Sequence, residues 1–327
     1  MIEIRCVKDL KEAERVWRLM YSTKETIINE WEYRYCFYKY QPYSLFFYVA
    51  YDVHSDGSEE VVGLMPLQYN PESSCLEFIA EDPCWENRVF VKPGFDEVIP
   101  KLYENLSMKS KFWCLSGEDE YTTKLAIYEY VYKFSLTGLS SFDDLLHFHL
   151  SPKRRKSLIK DIERVEQNNK IEFSIKKEVN NAEWNAEFDV MFKFNSENIE
   201  ESFLKTEAER LPRRDFIKLP YDWRLVVMKI AGETQAVSLS VVYGNQWQYL
   251  LTGVNHKKFP GLGKLLVKKN IEEAIKEGAE VFDAGMGDCH WKKLWHFDQI
   301  PQYEFIKEMV GENKSEENID KYTMNTV

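Results

Sequence analysis

The chain has 327 residues, and at roughly 150 residues per domain that length predicts two domains and excludes a single small module. Apolar residues at 44% and charged residues at 30% can build a sizeable core and exclude wholesale disorder. The 43 Lys+Arg against 54 Asp+Glu leave a net charge of −11, which argues against a surface that coats nucleic acid while leaving room for a local basic patch.

Charged and apolar side chains alternate through the N-terminal segment, and the longest apolar run, near Ser44 to Tyr51, is far shorter than a membrane span. The expectation is a cytoplasmic protein. Cys6, Cys36, Cys75, Cys84, Cys114 and Cys289 are scattered without a C-x-x-C pair, so reduced thiols are expected rather than a zinc ribbon or a disulfide framework.

In chain order, Ile2 to Val7 reads as a strand, followed by a helix that Asp9 caps and in which Leu10, Ala13, Trp17 and Met20 recur at helical spacing. Leu45 to Tyr51, Val61 to Gln68 and Cys75 to Ile79 read as a three-stranded meander, with turns at Ser55-Asp56-Gly57 and Asn70-Pro71-Glu72. A helix is expected after Pro93-Gly94, a strand over Phe112 to Leu115, and a third helix from near Tyr121. Small and polar residues cluster at Gly138 to Asp144, and the composition then turns basic, so the domain change is placed there. Ser151-Pro152 is a helix-start signal, and Leu158, Ile162 and Val165 form that helix's apolar edge. A strand at Ile171 to Ile175 and a helix near Ala186 to Asn195 follow. Leu225 to Ile230, Ala236 to Tyr243 and Gln246 to Leu251 then repeat the meander, which suggests duplication. The chain after Met309 is polar and expected to fray.

The most informative stretch runs from Leu250 to Gly278: a strand, a loop holding Gly261 and Gly263, and a long amphipathic helix. Glycines there let main-chain N–H groups face outward at a helix N-terminus, where orphan donors and the macrodipole favour a phosphate. Gly261-Leu-Gly-Lys-Leu lacks the P-loop spacing, and Leu266 stands where a dinucleotide fingerprint needs its third glycine. Nucleoside triphosphates and NAD lose support.

Lys258-Phe-Pro-Gly261-Leu-Gly263 resembles the [QR]-x-x-G-x-[GA] pyrophosphate loop of the GNAT acyltransferase superfamily, with Lys258 in place of Gln or Arg. The flanking order agrees: a strand ending Thr252-Gly253-Val254, the loop, a helix, then the strand Val281 to Ala284. Phe282-Asp283-Ala-Gly-Met-Gly287-Asp288-Cys-His-Trp291-Lys292-Lys-Leu-Trp295 is similar to the y-D-f-x-x-G-D-x-x-Y-K-x-x-[FW] ending of the double-GNAT group. That group contains the cellulose-biosynthesis-type acetyltransferases and the FemAB peptidoglycan-bridge enzymes. Gly63-Leu-Met-Pro66-Leu67 followed by Leu76-Glu-Phe-Ile-Ala resembles its first-domain pattern, and Ser151-Pro-Lys-Arg-Arg resembles its opening to the second domain. The resemblance spans most of residues 1 to 310.

It implies an α/β (α+β) fold of tandem GNAT-like domains, each a mixed, mostly antiparallel central sheet flanked by helices. Residues 1–140 would be a degenerate domain that shapes an acceptor cleft, 141–310 the acyl-CoA-binding domain, and 311–327 a flexible tail. After the first meander, Glu81-Asp-Pro-Cys-Trp offers no glycine pair, and its carboxylates would repel phosphate, so one cofactor site per chain is expected.

The activity implied is direct transfer of an acyl group, acetyl foremost, from acyl-CoA to an amine or hydroxyl without a covalent enzyme intermediate. Main-chain groups at Gly253 and Val254 would meet the thioester and pantetheine, with Gly253 allowing a bulge because it lacks a Cβ. Amides from Phe259 through Pro260, Gly261, Leu262 and Gly263 to Lys264, beside Lys258, would hold the pyrophosphate. Asp283 matches the family's carboxylate and would orient or deprotonate the acceptor, unless it serves a neighbouring turn. Asp288 and His290 are further acid–base candidates, with a structural role the alternative for the histidine. Lys292 would contact an acceptor carboxylate or phosphate, or be a solvated helix lysine. Tyr249 would protonate the departing thiolate, or pack in the core. Cys289, His290 and His296 near Asp283 or Asp288 match no zinc spacing, and no metal is expected.

Lys153, Arg154, Arg155, Lys156 and Lys160 concentrate positive charge in an acidic chain. They would suit a tRNA acceptor arm, an anionic glycan or lipid headgroup, or the phosphates of coenzyme A, or else form a solvated face paired with Asp161 and Glu163. The acceptor is thus a small molecule, a glycan or a peptidoglycan precursor. Two other functions compete: a FemAB-like aminoacyl transferase using aminoacyl-tRNA on a peptidoglycan precursor, and a non-catalytic acyl-CoA-binding protein.

Overall fold

The computed structural model describes residues 1–81, 84–178, 181–199, 202, 204–287 and 291–308. The N-terminal strand β1 (Ile2–Val7) leads to α1 (Leu10–Met20), whose first turn is closed by Asp9 accepting from the Glu12 amide at 2.9 Å. There follow α2 (Trp31–Tyr38), the meander β2 (Ser44–Val53), β3 (Glu59–Asn70) and β4 (Cys75–Phe78), the short β5 (Phe90–Val91), α3 (Val98–Glu104), β6 (Ser110–Ser116) and β7 (Ala126–Ser135). The second half contains α4 (Phe142–His149), α5 (Pro152–Asn168), β8 (Ile171–Lys176), α6 (Asn181–Asn198), α7 (Glu207–Phe216), then β9 (Asp222–Ile230), β10 (Glu233–Tyr243) and β11 (Gln246–Val254). It closes with α8 (Leu262–Lys276), β12 (Val281–Met286), α9 (Trp291–Trp295) and β13 (Asp298–Lys307).

Both meanders form where the apolar and β-branched runs predict them. The helix expected from near Tyr121 does not: only a single 3-10 turn at Thr122–Lys124 precedes β7. Ala126-Ile-Tyr-Glu-Tyr-Val-Tyr-Lys-Phe-Ser135 is rich in aromatic and β-branched residues that fit a pleated strand and crowd a helix. Ser151 precedes α5 with Pro152 in the first turn, but its hydroxyl makes no capping bond.

The strands form one thirteen-stranded sheet in the order β1-β2-β3-β4-β6-β13-β7-β12-β11-β10-β9-β8, with β5 paired to β3 off this path. Read outward from the β13–β7 pair, β6, β4, β3, β2 and β1 on one side mirror β12, β11, β10, β9 and β8 on the other. The chain is therefore a pseudo-two-fold duplication in which the last strands are exchanged. β7, from the first half, pairs with β12, and β13, from the C-terminal end, pairs with β6. Among the pairs of the main path, β4–β6 and β11–β12 alone are parallel. Each needs a helical crossover, supplied by α3 and α8.

One face of the sheet carries a core shared by both halves, in which Trp17, Trp31 and Phe47 join Trp184, Phe188 and Trp223 beneath α1, α2, α6 and α7. The other face carries two separate cores, one under α3 and one under α4, α5 and α8. The pseudo-symmetric helices α2 and α7 pack on each other. Gln248, fully buried on β11, ties the halves together: it accepts from the Ile27 amide at 3.2 Å and donates to Thr26 Oγ1 at 2.7 Å. Truncating it would strand two buried polar groups, at about 1–3 kcal/mol each.

Candidate functional site

α8 begins at Gly261, whose φ of +92° places it in the left-handed region that glycine adopts without penalty. The loop before it is closed by its own bonds: Asn255 accepts from the Phe259 amide at 3.0 Å and, through Oδ1, from the Lys258 amide at 3.2 Å. Leu262 and Lys264 donate to the Phe259 and Gly261 carbonyls. The N–H groups of Gly261 and Gly263 have no main-chain acceptor among the described residues, which leaves orphan donors at the positive end of a fifteen-residue helix. Gly263 lacks a Cβ where one would stand 2.9 Å from His256 Cε1. The Lys264 ammonium is bound to Asp161 of α5, and Lys258 lies over the Phe259 ring. The loop thus offers amides more than free lysine charge.

β11 and β12 pair only over Gln246–Gln248 and Val281–Asp283 and then diverge. Two cavities open at this fork. One, of about 210 Å³ on the α8 face, is lined by Tyr249, Thr252, Val254, His256, Gly261 and Gly263, with Lys264, Val267, Trp291 and Trp295. The other, of about 170 Å³ toward α2 and α7, is lined by Tyr33, Phe37, Trp85 and Arg213, with Tyr249 to Leu251 and Ala284 to Met286. Tyr249 lines both. Burial pushes its hydroxyl up to about 12, partly offset by the Thr252 and Ser238 hydroxyls, so it is a neutral donor at ordinary pH. The second cavity shares Phe37 and Arg213 with an outer pocket of about 360 Å³ reaching Tyr40, Glu77 and Glu209.

The bulge expected at Gly253 lies elsewhere. Leu251 pairs with Leu239 and Tyr249 with Ser240, so Leu250 is the extra residue, while Gly253 pairs regularly with Val237. Gly253 is required for a different reason: a Cβ there would meet the Met191 carbonyl oxygen at 2.1 Å. α6 grips this end of β11, since Asn195 and Asn198 donate to the Thr252 and Val254 carbonyls at 2.8 and 2.6 Å.

Asp283 does not join the loop and Tyr249. Phe282 faces α8, so by strand alternation Asp283 faces the other way. It is 1% exposed, accepts from the Gly285 amide at 2.8 Å and pairs with Lys133 of β7 at 3.2 Å. Burial lowers the Lys133 ammonium's affinity for its proton, but Asp283 and Glu86 outweigh this and hold its pKa above the usual range. Lys292 is neither solvated nor open to an acceptor: at 3% exposure it donates to the Gly285 and Met286 carbonyls at 3.0 and 2.6 Å. Asp283 and Lys292 thus hold the turn that forms one wall of the inner cavity. Asp288, Cys289 and His290, like the segment 309–327, lie outside the described residues.

The acetyltransferase (GNAT) domain family matches residues 152–293. This stretch is a GNAT domain. No curated protein matches the sequence. Among solved structures, a conserved protein of unknown function from Bacteroides thetaiotaomicron VPI-5482 aligns at a TM-score of 0.57 with 11% identity, over 94% of this chain and 100% of its own. FemX aligns at 0.55 with 11% identity, over 93% and 96%. The C-terminal domain of a putative lysylphosphatidylglycerol synthetase from Agrobacterium fabrum aligns at 0.55 with 10% identity, over 91% and 93%. At such identities the likeness is one of fold, and the palindromic sheet makes that fold a double GNAT.

In the first half, the fork equivalent to β11–β12 is that of β4 and β6, and its own chain fills it. Glu81 accepts from the Trp113 amide at 2.7 Å, and Asn87 exchanges main-chain bonds with Cys114 and Ser116 of β6. Buried Arg34 secures this segment by donating to the Ile79 and Glu86 carbonyls and to Asn87 Oδ1. On α5, Asp161 pairs with Lys264 and Arg164, whereas Lys153, Arg154, Arg155, Lys156 and Lys160 make no ion pair among the described residues. No described helix is long and apolar enough to cross a membrane, and no described cluster of three His, Cys, Asp or Glu has a metal site's arrangement.

The loop, Tyr249 and the motif positions Trp291 and Trp295, all named from the sequence, line the α8-side cavity, whereas His256 in that cavity and Tyr33, Phe37, Trp85 and Arg213 in the inner one were not singled out. His256 stands five residues before Gly261 and was within reach of the same motif. The others arrive by tertiary approach from distant segments and carry no local signal.

Proposed function

We propose that this double-GNAT protein transfers an acyl group, acetyl foremost, from acyl-CoA to an amine or hydroxyl acceptor. The observation that carries the reading is the continuity from unpaired Gly261 and Gly263 amides, through the cavity beside them, to Tyr249 at the fork of β11 and β12. Pyrophosphate on the α8 N-terminus would thread the pantetheine along that cavity, and the acceptor would enter through the Phe37 and Arg213 passage on the opposite face. At the fork the acceptor nitrogen or oxygen attacks the thioester carbonyl and the C–S bond breaks. Tyr249 gives its proton to the thiolate and recovers one from the attacking atom, so the protein ends unchanged. Asp283 and Lys292 act as positioning residues through the 285–286 turn.

A second reading, an aminoacyl-tRNA donor, is supported by Lys153, Arg154, Lys156 and Lys160 of α5, which are exposed and make no ion pair among the described residues, and by the fold shared with FemX. One experiment separates the two. Thermal unfolding is followed with coenzyme A, acetyl-CoA and longer acyl-CoAs, in the wild type and in Gly261→Glu and Pro260→Glu, the latter free of any left-handed backbone demand. A ligand at about 100 times its Kd stabilises by about 2.7 kcal/mol. A shift present in the wild type and lost in both folded variants supports the acyl-CoA reading. No shift with any thioester, together with binding of aminoacyl-tRNA that fails in an Arg154→Glu/Arg155→Glu variant, would move the donor to tRNA.

A further inference from the structure

The N-terminal half of α5, Pro152 to Lys160, carries Lys153, Arg154, Arg155, Lys156 and Lys160 and no acid. A helix favours acids in its first turn, where the macrodipole is positive, so α5 by itself gains nothing from this placement. Lys153, Arg154, Lys156 and Lys160 are exposed and make no ion pair among the described residues. Lys153, Lys156 and Lys160 follow one another at intervals of three and four residues, which sets them on one face of the helix.

Two apolar side chains stand at the same corner of the molecule. Apart from Met1, Phe148 at 76% exposure and Leu294 at 61% are the most exposed large apolar side chains among the described residues. They belong to different helices, the last turn of α4 and the short α9. His149, next to Phe148, lies 4.6 Å from the Phe134 ring, and Phe134 stacks at 3.8 Å on Phe297, two residues beyond the end of α9. Burial and then the Arg154 charge hold the His296 imidazole below its usual value, so the start of α5 adjoins the end of α9. Burial also lowers the His149 imidazole and Asp298 of β13 opposes this, so that carboxylate faces the corner as well, outnumbered by the exposed cations.

Exposed Phe and Leu side chains beside a cluster of Lys and Arg suit a lipid surface, where the apolar groups enter the boundary of headgroups and acyl chains and the cations meet anionic headgroups. Screening confines such attraction to about 8 Å at physiological salt, so the cluster acts locally although the chain carries a net charge of −11. A nucleic acid would satisfy the cations but gain nothing from Leu294, whose aliphatic side chain offers no ring for a base to stack on. We propose that this corner, Phe148 and Leu294 with Lys153, Arg154, Lys156 and Lys160, docks the protein on the surface of an anionic lipid bilayer.

The test is co-sedimentation of the full chain with phosphatidylcholine vesicles and with mixed phosphatidylcholine–phosphatidylglycerol vesicles, at low and at physiological salt. The expected result is saturable binding to the mixed vesicles alone, weakened by salt. Arg154→Glu/Lys156→Glu should weaken that binding by at least roughly tenfold. Phe148→Ser/Leu294→Ser should weaken it by at least roughly fivefold. All four positions are exposed, and each variant's thermal unfolding is compared with the wild type to show that it folds. Equal binding to phosphatidylcholine alone, no binding to either vesicle, or unchanged binding in either double variant would each overturn the proposal. Tighter binding of tRNA than of the mixed vesicles would also overturn it and assign the cations to nucleic acid. So would self-association in vesicle-free buffer that Phe148→Ser/Leu294→Ser abolishes, which would make the corner an interface between copies. Vesicle binding is read without any thioester, so its failure and that of the acyl-CoA reading are separate outcomes.

Discussion

Asp283 and Lys133 stand directly opposite each other on β12 and β7, with their charged groups 3.2 Å apart, and so join a strand of the second half to one carried over from the first. The Asp283 side chain is buried at 1% exposure and that of Lys133 largely so at 17%. Removing one member strands the other and costs about 3–5 kcal/mol. Lys133→Met is expected to be the worse change, because it leaves Glu86 as well as Asp283 without its lysine. Asp283→Asn keeps an acceptor for the Gly285 amide. Urea unfolding of the two variants and their double mutant should show a double mutant less destabilised than the sum of the singles. Additive losses would refute the coupling.

Gly253→Ala puts a methyl group where the Met191 carbonyl oxygen already lies, 2.1 Å from the ideal Cβ position. Side-chain overpacking typically costs about 1–3 kcal/mol, and here the obstacle is main chain within α6, which moves only by shifting the helix. A loss of at least about 3 kcal/mol is expected as β11 and α6 part, and on the proposed acyl-CoA reading thioester binding weakens with it. Met191→Ala should not rescue it, because the clash is with the backbone. Rescue by that second change would show that the side chain was the obstacle.

These two positions also mark what local sequence carries. Both meanders, the glycine loop and α8 were legible because period, turn chemistry and helix-start signals act within a few residues. β13 was not, since Asp298-Gln-Ile-Pro-Gln-Tyr reads as polar chain and becomes a strand by lying between β6 and β7. The orientation of Asp283 and the burial of Lys292 were out of reach for the same reason. A motif supplies residue types, whereas which face of β12 meets α8 is decided by the packing of Phe282.

Asp215 on α7 is bonded by Lys218 at 2.6 Å, by Lys39 just after α2 at 2.8 Å and by the Tyr40 hydroxyl, so it clamps the C-terminal end of α2 to α7. Lys218, Lys39 and Tyr40 together hold its carboxyl far below the usual carboxylate range. The folded chain therefore binds fewer protons here than the unfolded chain. The stabilisation is complete above the unfolded carboxyl's usual value near 3.8 and is lost as pH falls through that value toward the folded one. Asp215→Asn should lower stability at neutral pH and flatten the acid limb of a stability–pH curve measured from pH 5 to 2. An unchanged acid limb would show that other carboxylates set it.

Tyr249 lies between the two cavities with its hydroxyl pushed up to about 12, so it holds its proton throughout the range in which an amine acceptor loses its own. Tyr249→Phe removes the hydroxyl that the proposed mechanism uses as its proton donor and nothing of the ring that separates the cavities. General acid catalysis of this kind contributes at least roughly a hundredfold, so kcat should fall by that factor while KM for the acyl-CoA stays the same. The wild-type rate should rise with pH as the acceptor deprotonates and show no alkaline decline until the tyrosine itself ionises. A matched rise in KM without loss of kcat would reduce Tyr249 to a wall of the binding cavity. A thiol of lower leaving-group pKa discriminates further. An activated aryl thioester needs no protonation on departure, so the phenylalanine variant should recover most of its rate with that donor if proton transfer is what the hydroxyl supplies.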